Sequence, residues 1–353
     1  MSALRILEAI TPSRIGGAEV FVTELYKSFA EMGAHVEVFC PAGRPFVDYA
    51  KARGIEPITW RTHGKFDPLT VARLAQLMRR RRIDVIHTHL STASLLGAFA
   101  SKLARVRCVA HVHGMNTATC FRYSDIVIAV SQSVKSHLIE QGINENKVRV
   151  VHNGVDLVRF MPMGARETKS RLGYDPCEPL LGVFGRLSSE KGQRVALEAM
   201  PLIVKSYPDA KLALVGNGAD RNELETSAEA LGIRDSVVFV GFMQDVREMM
   251  SACDVVLVPS LREGFGLAAV EAMALQRPVI ASAQGGLTEI VIDGETGLLV
   301  APNDPKALAD AAFDILAHPE SASAMGRKGR LRVEEHFALG KQMLKLLDEL
   351  DFS

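Results

Sequence analysis

Short apolar runs alternate with longer segments of helical periodicity through the first part of the chain. The runs lack the alternation of a half-exposed strand, which is typical of strands buried on both faces of a parallel sheet. Strands are expected at Arg5–Ala9, Val36–Cys40, Val85–His87, Cys108–His111 and Ile126–Val130. Helices are expected at Ala18–Met32, Leu69–Arg82, Ser94–Leu103 and Ser133–Gln141.

The same alternation resumes in the second half of the chain. Before it resumes, the segment His152–Glu167 breaks the pattern with glycine and proline, as a connection between domains does. Further strands are expected at Leu180–Phe184, Lys211–Val215, Val237–Val240, Val255–Pro259 and Val279–Ala281, and further helices at Val195–Val204 and Leu267–Leu275. We place the boundary near Phe160, which gives a first domain of residues 1–160 and a second of residues 161–330.

The predicted fold class is α/β. A chain of 353 residues exceeds what one hydrophobic core usually supports. Strands that alternate with helices favour parallel sheets with right-handed crossovers. We therefore expect two doubly wound, Rossmann-like domains that face each other across a cleft, with ligand-binding residues at the carboxyl ends of the strands. Neither half contains a full G-x-G-x-x-G fingerprint, so a dinucleotide-dependent oxidoreductase lacks its motif.

Net charge and cysteine content limit the partners and the cellular compartment that can be expected for the protein. Lys plus Arg number 41 and Asp plus Glu number 41, so no global field attracts nucleic acid. The five cysteines are scattered without C-x-x-C pairs, which fits a reducing compartment. No apolar stretch reaches the length of a membrane span. We expect a cytoplasmic protein, soluble or attached peripherally to the inner face of the cell membrane.

A glycine pair, Gly16 and Gly17, follows the first strand and leads into a helix. Free N–H groups and the positive end of the helix dipole can hold an anion at such a turn. The alternative is an ordinary strand-to-helix turn that needs glycine for its geometry.

Two cations, Arg186 and Lys191, lie in the loop after the first strand of the second domain. Arginine offers a planar fork to phosphate oxygens and lysine a mobile point charge, so the pair suits a departing diphosphate. A solvated loop is the alternative reading.

The segment from Glu263 to Glu271 carries two carboxylates and two glycines. If a helix begins around Gly266, Glu263 lies on the loop and Glu271 lies more than one turn along the helix. Glu263 would then reach the reacting end of a sugar, Glu271 would bind ribose hydroxyls, and the N–H groups of Gly266 and Leu267 would face phosphate. The alternative is a pair of ordinary helix-flanking acids.

Histidines cluster at two predicted strand ends, in His87-Thr88-His89 and His111-Val112-His113. No nearby carboxylate or thiolate motif completes a zinc site, so we predict no bound metal. Structural hydrogen bonding is the alternative role for these residues, but His113 precedes a glycine and is better placed to touch substrate. The sequence contains no D-x-D motif, so the cations of the Arg186 loop would replace a divalent ion on the diphosphate.

The segment from Arg73 to Arg107 is strongly basic and includes the run Arg79, Arg80, Arg81 and Arg82. Apolar positions on the same segment follow a helical stripe that would dock on the sheet. The arginines would then face either solvent or anionic lipid headgroups, and both readings stay open.

Taken in order, the motifs resemble those of the retaining GT-B glycosyltransferases of glycosyltransferase family 4, also called glycosyl transferases group 1. The resemblance spans nearly the whole chain. The motifs that carry it are Gly16–Glu19, His113-Gly114, AVSQSVKSHL (129–138), NGVD (153–156), GRLSSEKG (185–192), VGNG (215–218) and PSLREGFGLAAVEAMA (259–274).

The resemblance implies transfer of a sugar from a nucleoside-diphosphate sugar to a hydroxyl of a glycan or lipid-linked acceptor, with retention and without a metal or other cofactor. It matches Arg186 and Lys191 to the diphosphate-binding cations and Glu271 to the ribose-binding carboxylate. It places Glu263 and His113 beside the donor sugar. Gly16 and Gly17 match the turn that approaches the diphosphate, and Gly266 with Leu267 matches the amides that face phosphate.

The resemblance also implies that the C-terminal segment 331–353, whose last helix is expected at Lys341–Leu350, crosses back to the first domain. It favours a role in cell-surface polysaccharide or lipopolysaccharide biosynthesis. The segment between His113 and Asp125 is shorter than in many relatives, so the family's geometry on the acceptor side is the part that is least safely applied to this chain. The competing hypotheses are a nucleotide-sugar epimerase or glycan phosphorylase of the same fold, and a catalytically silent nucleotide-binding protein. Nucleic-acid binding has only the arginine run in its favour.

Overall fold

A computed structural model describes residues 3–351, which divide into two compact units. The first unit runs to His152 and includes the residues from Gly340 onward, and the second runs from Asn153 to Leu339. Phe160, where the sequence analysis placed the domain boundary, lies in the second unit. Across residues 3–351, the structure contains no helix with both the length and the apolar character needed to span a membrane.

The first unit contains a sheet of six parallel strands. The strands are β1 (Arg5–Ile10), β2 (His35–Phe39), β3 (Val85–His89), β4 (Arg107–Val112), β5 (Ile126–Ala129) and β6 (Val148–Val150), in the order β2-β1-β3-β4-β5-β6. The helices are α1 (Gly17–Glu31), α2 (Pro45–Lys51), α3 (Pro68–Arg81), α4 (Ser91–Ala104) and α5 (Gln132–Glu140). The order reverses between β1 and β3, which is where ligands bind in doubly wound sheets.

The second unit repeats this architecture with six more parallel strands. They are β7 (Leu180–Phe184), β8 (Lys211–Val215), β9 (Val237–Gly241), β10 (Val255–Val258), β11 (Val279–Ser282) and β12 (Leu298–Val300), in the order β12-β11-β10-β7-β8-β9. The helices are α6 (Ala165–Arg171), α7 (Gln193–Ser206), α8 (Arg221–Ala230), α9 (Arg247–Ala252), α10 (Leu267–Ala274), α11 (Leu287–Ile290), α12 (Pro305–Ala317) and α13 (Pro319–His336). Here the order reverses between β7 and β10.

The last helix, α14 (Leu339–Leu350), begins at the junction of the two units. Its buried face consists of Gln342, Met343, Leu346 and Leu350. Glu349 lies 3.8 Å from Arg149, the central residue of β6.

The two sheets confirm the predicted α/β class, because all ten predicted strands have counterparts and every strand pairing is parallel. Strands β6 and β12 were not predicted. Both are three-residue strands at the edge of a sheet, and β6 carries a charged residue at its centre, whereas β12 is an apolar run that was not assigned.

Close contact between α4 and β3 fixes the strand that carries two of the histidines. A Cβ on Gly97 of α4 would lie 2.5 Å from Cγ2 of Thr88, so only glycine allows this approach. The hydroxyl of Thr88 in turn donates to the Oγ of Ser94 on α4, at 3.1 Å. The absence of a side chain at Gly97 lets α4 pack closely on β3, and the hydrogen bond between Thr88 and Ser94 links the two elements.

Candidate active site

The loops after β7 and β10 bring two predicted site residues into contact. Nζ of Lys191 donates to Oε2 of Glu263 at 2.6 Å, and Oγ of Ser260 donates to the same oxygen at 3.0 Å. Glu263 is buried, and the side chain of Lys191 keeps 30% of its exposure. The result is an ion pair at the switch point of the second sheet, open to solvent on the lysine side.

Glycine geometry makes this ion pair possible. Gly192, directly after Lys191, has φ +67°, a left-handed conformation that favours glycine. A Cβ at this position would lie 1.9 Å from the carbonyl oxygen of Pro259, at the end of β10. The turn that carries Lys191 therefore packs directly against the backbone that leads into the Glu263 loop.

Arg186 lies on the exposed side of the same loop. Its guanidinium donates to Oε2 of Glu190 at 2.9 Å, and its backbone carbonyl accepts from the side-chain amide of Gln193. The structure therefore places Arg186 and Lys191 on one loop but gives them separate acidic partners. Glu190 was not among the predicted site residues.

The VGNG segment after β8 supports the Arg186 loop. A Cβ on Gly216 would lie 1.9 Å from the carbonyl oxygen of Gly185, and one on Gly218 would lie 1.9 Å from that of Leu187. The backbone N–H of Leu187 donates to the carbonyl of Asn217 at 3.1 Å. Two glycines thus let one loop lie against the other on both sides of Arg186.

The segment after β11 packs against the backbone of Glu263. A Cβ on Gly285 would lie 2.1 Å from the carbonyl oxygen of Glu263, and Gly285 has φ +55°. Gly286 N–H donates to that oxygen at 3.5 Å. The loop after β11 therefore supports the backbone of Glu263.

Helix α10 begins where the sequence predicted. Gly266 precedes Leu267 with φ +114°, and no side chain caps the helix. The carbonyl of Gly266 accepts from the N–H groups of Ala269 and Val270, so the helical hydrogen bonds begin there. The N–H groups at the start of the helix are the ones that can face an anion.

Glu271 lies one turn further along α10 and is half-buried. Burial raises the pKa of its carboxyl group to about 7, while Arg159 acts to lower that pKa and Asp245 to raise it. Arg159 and Asp245 were not predicted. Both are linked to Arg247, whose guanidinium donates to the Asp245 carboxylate and, at 2.7 Å, to the Arg159 carbonyl.

In the first unit, the glycine turn after β1 begins α1. Gly17 is the first residue of the helix, and a Cβ there would meet no described atom within 4 Å, which leaves its backbone open. The N–H of Gly16, however, donates to Oε2 of Glu19 at 2.9 Å. A carboxylate therefore already occupies part of this helix N-terminus, a competitor for anions that the sequence analysis did not consider.

The histidines of β3 and β4 surround a buried carboxylate. Oε1 of Glu8 on β1 lies 3.1 Å from Nδ1 of His87, and Oε2 lies 2.7 Å from Nε2 of His89. Nδ1 of His89 lies 3.0 Å from Nε2 of His113, and Nδ1 of His111 lies 3.3 Å from Nε2 of His87. The expected structural role of His87, His89 and His111 is thus accompanied by a direct link to His113.

Burial shifts the proton affinity of this cluster. It lowers the pKa of His113 to about 3 and places those of His89 and His111 well below their ordinary range, with neighbouring histidines as the next cause. It raises the pKa of Glu8, against the opposing effect of His87. His89, His111 and His113 are therefore neutral at pH 7.

The same cluster bears on metal binding. Ligand atoms of His87, His89 and His111 lie within 4.8 Å of one another. Within residues 3–351, Nε2 of His111 is the ring nitrogen of this trio that is buried without a hydrogen-bond partner. A cation bound here would have to replace hydrogen bonds to Glu8 or between the rings.

Glu8 was not among the predicted site residues, although its position in the sequence indicates a buried polar contact. Glu8 is the one charged residue inside the buried part of β1, and in the register of the sheet it pairs with His87. A buried acid beside a strand that carries two histidines is a warning of a polar network.

Two family models match the chain. The model described as Glycosyltransferase Family 4 matches residues 15–159, and the model described as Glycosyl transferases group 1 matches residues 165–332. The two matches fall on the two halves in which the sequence motifs were found.

Known proteins resemble the chain over most of its length. An N-acetyl-alpha-D-glucosaminyl L-malate synthase of Bacillus anthracis is 28% identical over 346 residues, covering 92% of this chain and 90% of that protein. An uncharacterized glycosyltransferase of Methanocaldococcus jannaschii is 30% identical over 333 residues, covering 84% of each chain. The crystal structure of Anabaena HepE in complex with UDP-glucose is 26% identical with a TM-score of 0.86, covering 98% of this chain and 100% of that one. The chain therefore belongs to the family 4 glycosyltransferases and has the GT-B fold.

Proposed function

We propose that this glycosyltransferase moves a sugar from a nucleoside-diphosphate sugar to an acceptor hydroxyl, with retention of configuration and without a metal or other cofactor. The observation that carries the proposal is the Lys191–Glu263 ion pair beside Arg186, at the switch point of the second sheet. HepE, a neighbour in structure, was crystallised with UDP-glucose, which supports a donor of this class.

The proposed chemistry rests on positioning and electrostatics. Arg186 and Lys191 stabilise the negative charge that develops on the departing diphosphate, which is the task a divalent cation performs elsewhere. The acceptor oxygen bonds to the anomeric carbon on the face from which the phosphate oxygen departs, and the acceptor proton passes to that phosphate oxygen. Glu263 stabilises positive charge on the sugar in this step rather than forming a covalent bond.

The remaining predicted residues keep their roles within the proposal. The open start of α10, at Gly266 and Leu267, faces the phosphates, and Glu271 binds the ribose hydroxyls. The family resemblance assigns Gly16, Gly17 and His113 to the donor as well. The carboxylate of Glu19 limits what the N–H of Gly16 can contribute, so Gly17 is the stronger candidate of the glycine pair.

The experiment that tests the function measures nucleoside-diphosphate release from UDP-, GDP- and ADP-sugars in the presence of EDTA. The native chain is compared with Glu263→Gln and with Glu198→Gln, an exposed control carboxylate that pairs with Arg194. We expect one donor class to be turned over by the native chain and the control, and release to fall sharply in Glu263→Gln.

Other outcomes would reject parts of the proposal. Activity that disappears with EDTA would reject metal independence. Nucleotide binding without turnover, even with acceptors present, would favour the silent binding protein. Interconversion of the donor sugar without transfer would favour an epimerase, and inversion at the product's anomeric carbon would reject retention.

Nucleotide affinity is expected to depend on pH through Glu271. Because its pKa is raised from 4.5 to about 7, the folded protein holds this proton more tightly than the unfolded chain. The contribution of Glu271 to the free energy of unfolding therefore declines as pH rises from 4.5 towards 7.

Nucleotide binding should show the opposite dependence on pH. Ribose hydroxyls donate to the ionised form of Glu271, so affinity for the nucleoside diphosphate should increase as pH rises through about 7.

Isothermal titration calorimetry from pH 5.5 to 8 would measure this dependence. The phosphate groups titrate in the same range, so Glu271→Gln serves as the control that retains their contribution alone. A native pH profile that is identical to that of Glu271→Gln would contradict the assignment of Glu271 to the ribose.

We propose further that the acceptor is lipid-linked, as in cell-surface polysaccharide or lipopolysaccharide biosynthesis, and that the first unit touches an anionic membrane. Arg79, Arg80, Arg81 and Arg82 are all exposed. The guanidinium of Arg79 donates to the carbonyl of Leu103 at the end of α4. The arginine run is thereby joined to an exposed edge of α4.

That edge of α4 is apolar, and Tyr123, from the segment between β4 and β5, lies against it. Phe99, Leu103 and Tyr123 are 41%, 53% and 41% exposed, and the rings of Phe99 and Tyr123 lie 5.4 Å apart. Lys102 lies over the Tyr123 ring, with 5.7 Å between Nζ and the centroid. Apolar side chains beside cations are typical of surfaces that bind anionic bilayers.

Co-sedimentation with phosphatidylglycerol vesicles tests the membrane contact. Replacing Arg80 and Arg82 by alanine should weaken binding about 30-fold, because each cation near an anionic surface contributes about 1 kcal/mol. Replacing Lys306 and Arg327, exposed cations of the second unit, is the matched control. Equal loss in both variants, or equal binding to phosphatidylcholine vesicles, would reject this surface.

The acceptors tested for sugar transfer should also include a small molecule. L-malate is one choice, because it is named for the Bacillus anthracis relative.

A further inference from the structure

The buried Glu8 carboxylate lies at the centre of a hydrogen-bonded chain that ends at His113. Glu8, His87 and His89 are all fully buried. Nε2 of His89 lies 2.7 Å from the carboxylate, and Nδ1 of His89 lies 3.0 Å from Nε2 of His113. Among residues 3–351, the structure gives Nδ1 of His113 no hydrogen-bond partner, and the ring itself is half-buried.

Each hydrogen bond in this chain fixes the next. We take Glu8 as the ionised acceptor between the two rings, a state that burial opposes and the neighbouring His87 favours. An ionised carboxylate only accepts, so Nε2 of His89 then carries the proton that it donates. A neutral His89 then has a bare Nδ1, which can only accept, so Nε2 of His113 must be the donor of the bond between them. The remaining nitrogen of His113, Nδ1, is left without a proton.

We propose that Glu8 and His89 are positioning residues that hold His113 in a single tautomer, with Nε2 protonated and Nδ1 presented as an acceptor for a hydroxyl of the ligand. The inference rests on the proposed contact between His113 and the donor. It adds two buried residues to the reaction, neither of which touches the substrate.

The second arm of the cluster does not alter this result. With Glu8 as the acceptor, Nδ1 of His87 carries the proton of their hydrogen bond. Nε2 of His87 faces His111, so this arm of the cluster leads away from His89. His87 is therefore a matched control for His89, since both lie on β3, are fully buried and contact the same carboxylate.

Ring contacts fix the orientation of His113 relative to His89 and Phe21. The rings of His89 and His113 are 24° from parallel with centroids 5.3 Å apart, and Phe21 meets the His113 ring edge-on at 5.4 Å. The low pKa of His113 keeps its ring neutral at pH 7, as a fixed tautomer requires. Geometry and proton affinity therefore support the same state.

The first test is ¹⁵N NMR of the histidine rings in the native full-length chain at pH 7, without ligand. We expect the signature of a neutral His113 with protonated Nε2 and bare Nδ1. A proton on Nδ1 of His113, or a doubly protonated ring, would overturn the proposal. In His89→Phe, which keeps an aromatic ring but removes the acceptor, His113 should populate both tautomers.

The second test is a double-mutant cycle on donor turnover. His89→Phe should lower kcat about tenfold, with a smaller effect on KM, and should have no further effect in a His113→Ala background. His87→Phe should have an effect that adds to that of His113→Ala. Independent, additive effects for His89 and His113 would overturn the proposal.

The proposal stays testable if His89→Phe does not fold or if no donor is turned over. If His89→Phe does not fold, Glu8→Gln is used instead, because its amide no longer obliges His89 to donate, and the native spectrum needs no substitution. If no donor is turned over, the proposed function fails, while the tautomer of His113 is still read from the spectrum. Failure of the inference and failure of the function are thus distinguishable.

Discussion

Lys191→Ala is expected to lower kcat for donor turnover by about 10²–10³-fold, the usual cost of removing one charged stabiliser of a transition state. The ammonium of Lys191 lies 2.6 Å from Glu263, at the point where the diphosphate is proposed to depart. Its loss removes the neutralising charge and also leaves the buried Glu263 carboxylate without its cation. Steady-state release of nucleoside diphosphate measures the effect.

Loss of the charge can be separated from loss of the fold. The double variant Lys191→Ala/Glu263→Gln no longer contains an unpaired carboxylate, so its melting temperature should recover towards the native value while its activity stays low. Arg194→Ala, which removes an exposed cation paired with Glu198 and Glu223, should leave kcat unchanged. Recovery of activity in the double variant would show that Lys191 serves only to balance Glu263.

Gly218→Ala is expected to destabilise the second unit by about 3 kcal/mol, the upper part of the range for overpacking. The added methyl group would lie 1.9 Å from the carbonyl oxygen of Leu187 and 2.5 Å from its carbonyl carbon. Backbone atoms cannot rotate away as a flexible side chain can, so the loop that carries Arg186 must move. Nucleotide affinity should fall together with stability, as measured by calorimetry and chemical denaturation.

Gly340→Ala makes the same chemical change where a Cβ would meet no described atom within 4 Å. Because Gly340 lies in α14, alanine there should leave stability unchanged or raise it slightly. Equal changes in the free energy of unfolding of the two variants would contradict the prediction, because they would show that the backbone near Gly218 makes room for the methyl group without loss of stability.

The sheets could be predicted because their signal is local. The ten expected strands are short and mostly apolar, although Glu8 and Glu37 interrupt two of them, and such segments are typical of strands buried on both faces. The start of α10 was also predictable, since Gly266 and the apolar residues after it mark a helix boundary. The short edge strand β6 is interrupted by Arg149, whereas the apolar run of β12, Leu298–Val300, was present but was not assigned to a strand.

The site was only half predictable, because the missing half depends on contacts between distant segments. Arg186, Lys191, Glu263 and Glu271 lie in motifs, but the 2.6 Å pairing of Lys191 with Glu263 joins residues that are far apart in the sequence. The bond between Glu8 and His89 depends in the same way on which strands are neighbours. Composition and spacing identify the groups, while strand order decides which of them meet.

The first unit is discontinuous in the sequence, since it combines the residues up to His152 with those from Gly340 onward. During synthesis, all of the second unit is translated before the final helix of the first unit. The buried face of α14, with Met343, Leu346 and Leu350, can pack only after these last residues of the first unit have been made. A nonsense mutation in the codons of α14 would therefore damage the unit that is encoded first, and leave the sheet that carries Lys191 and Glu263 intact.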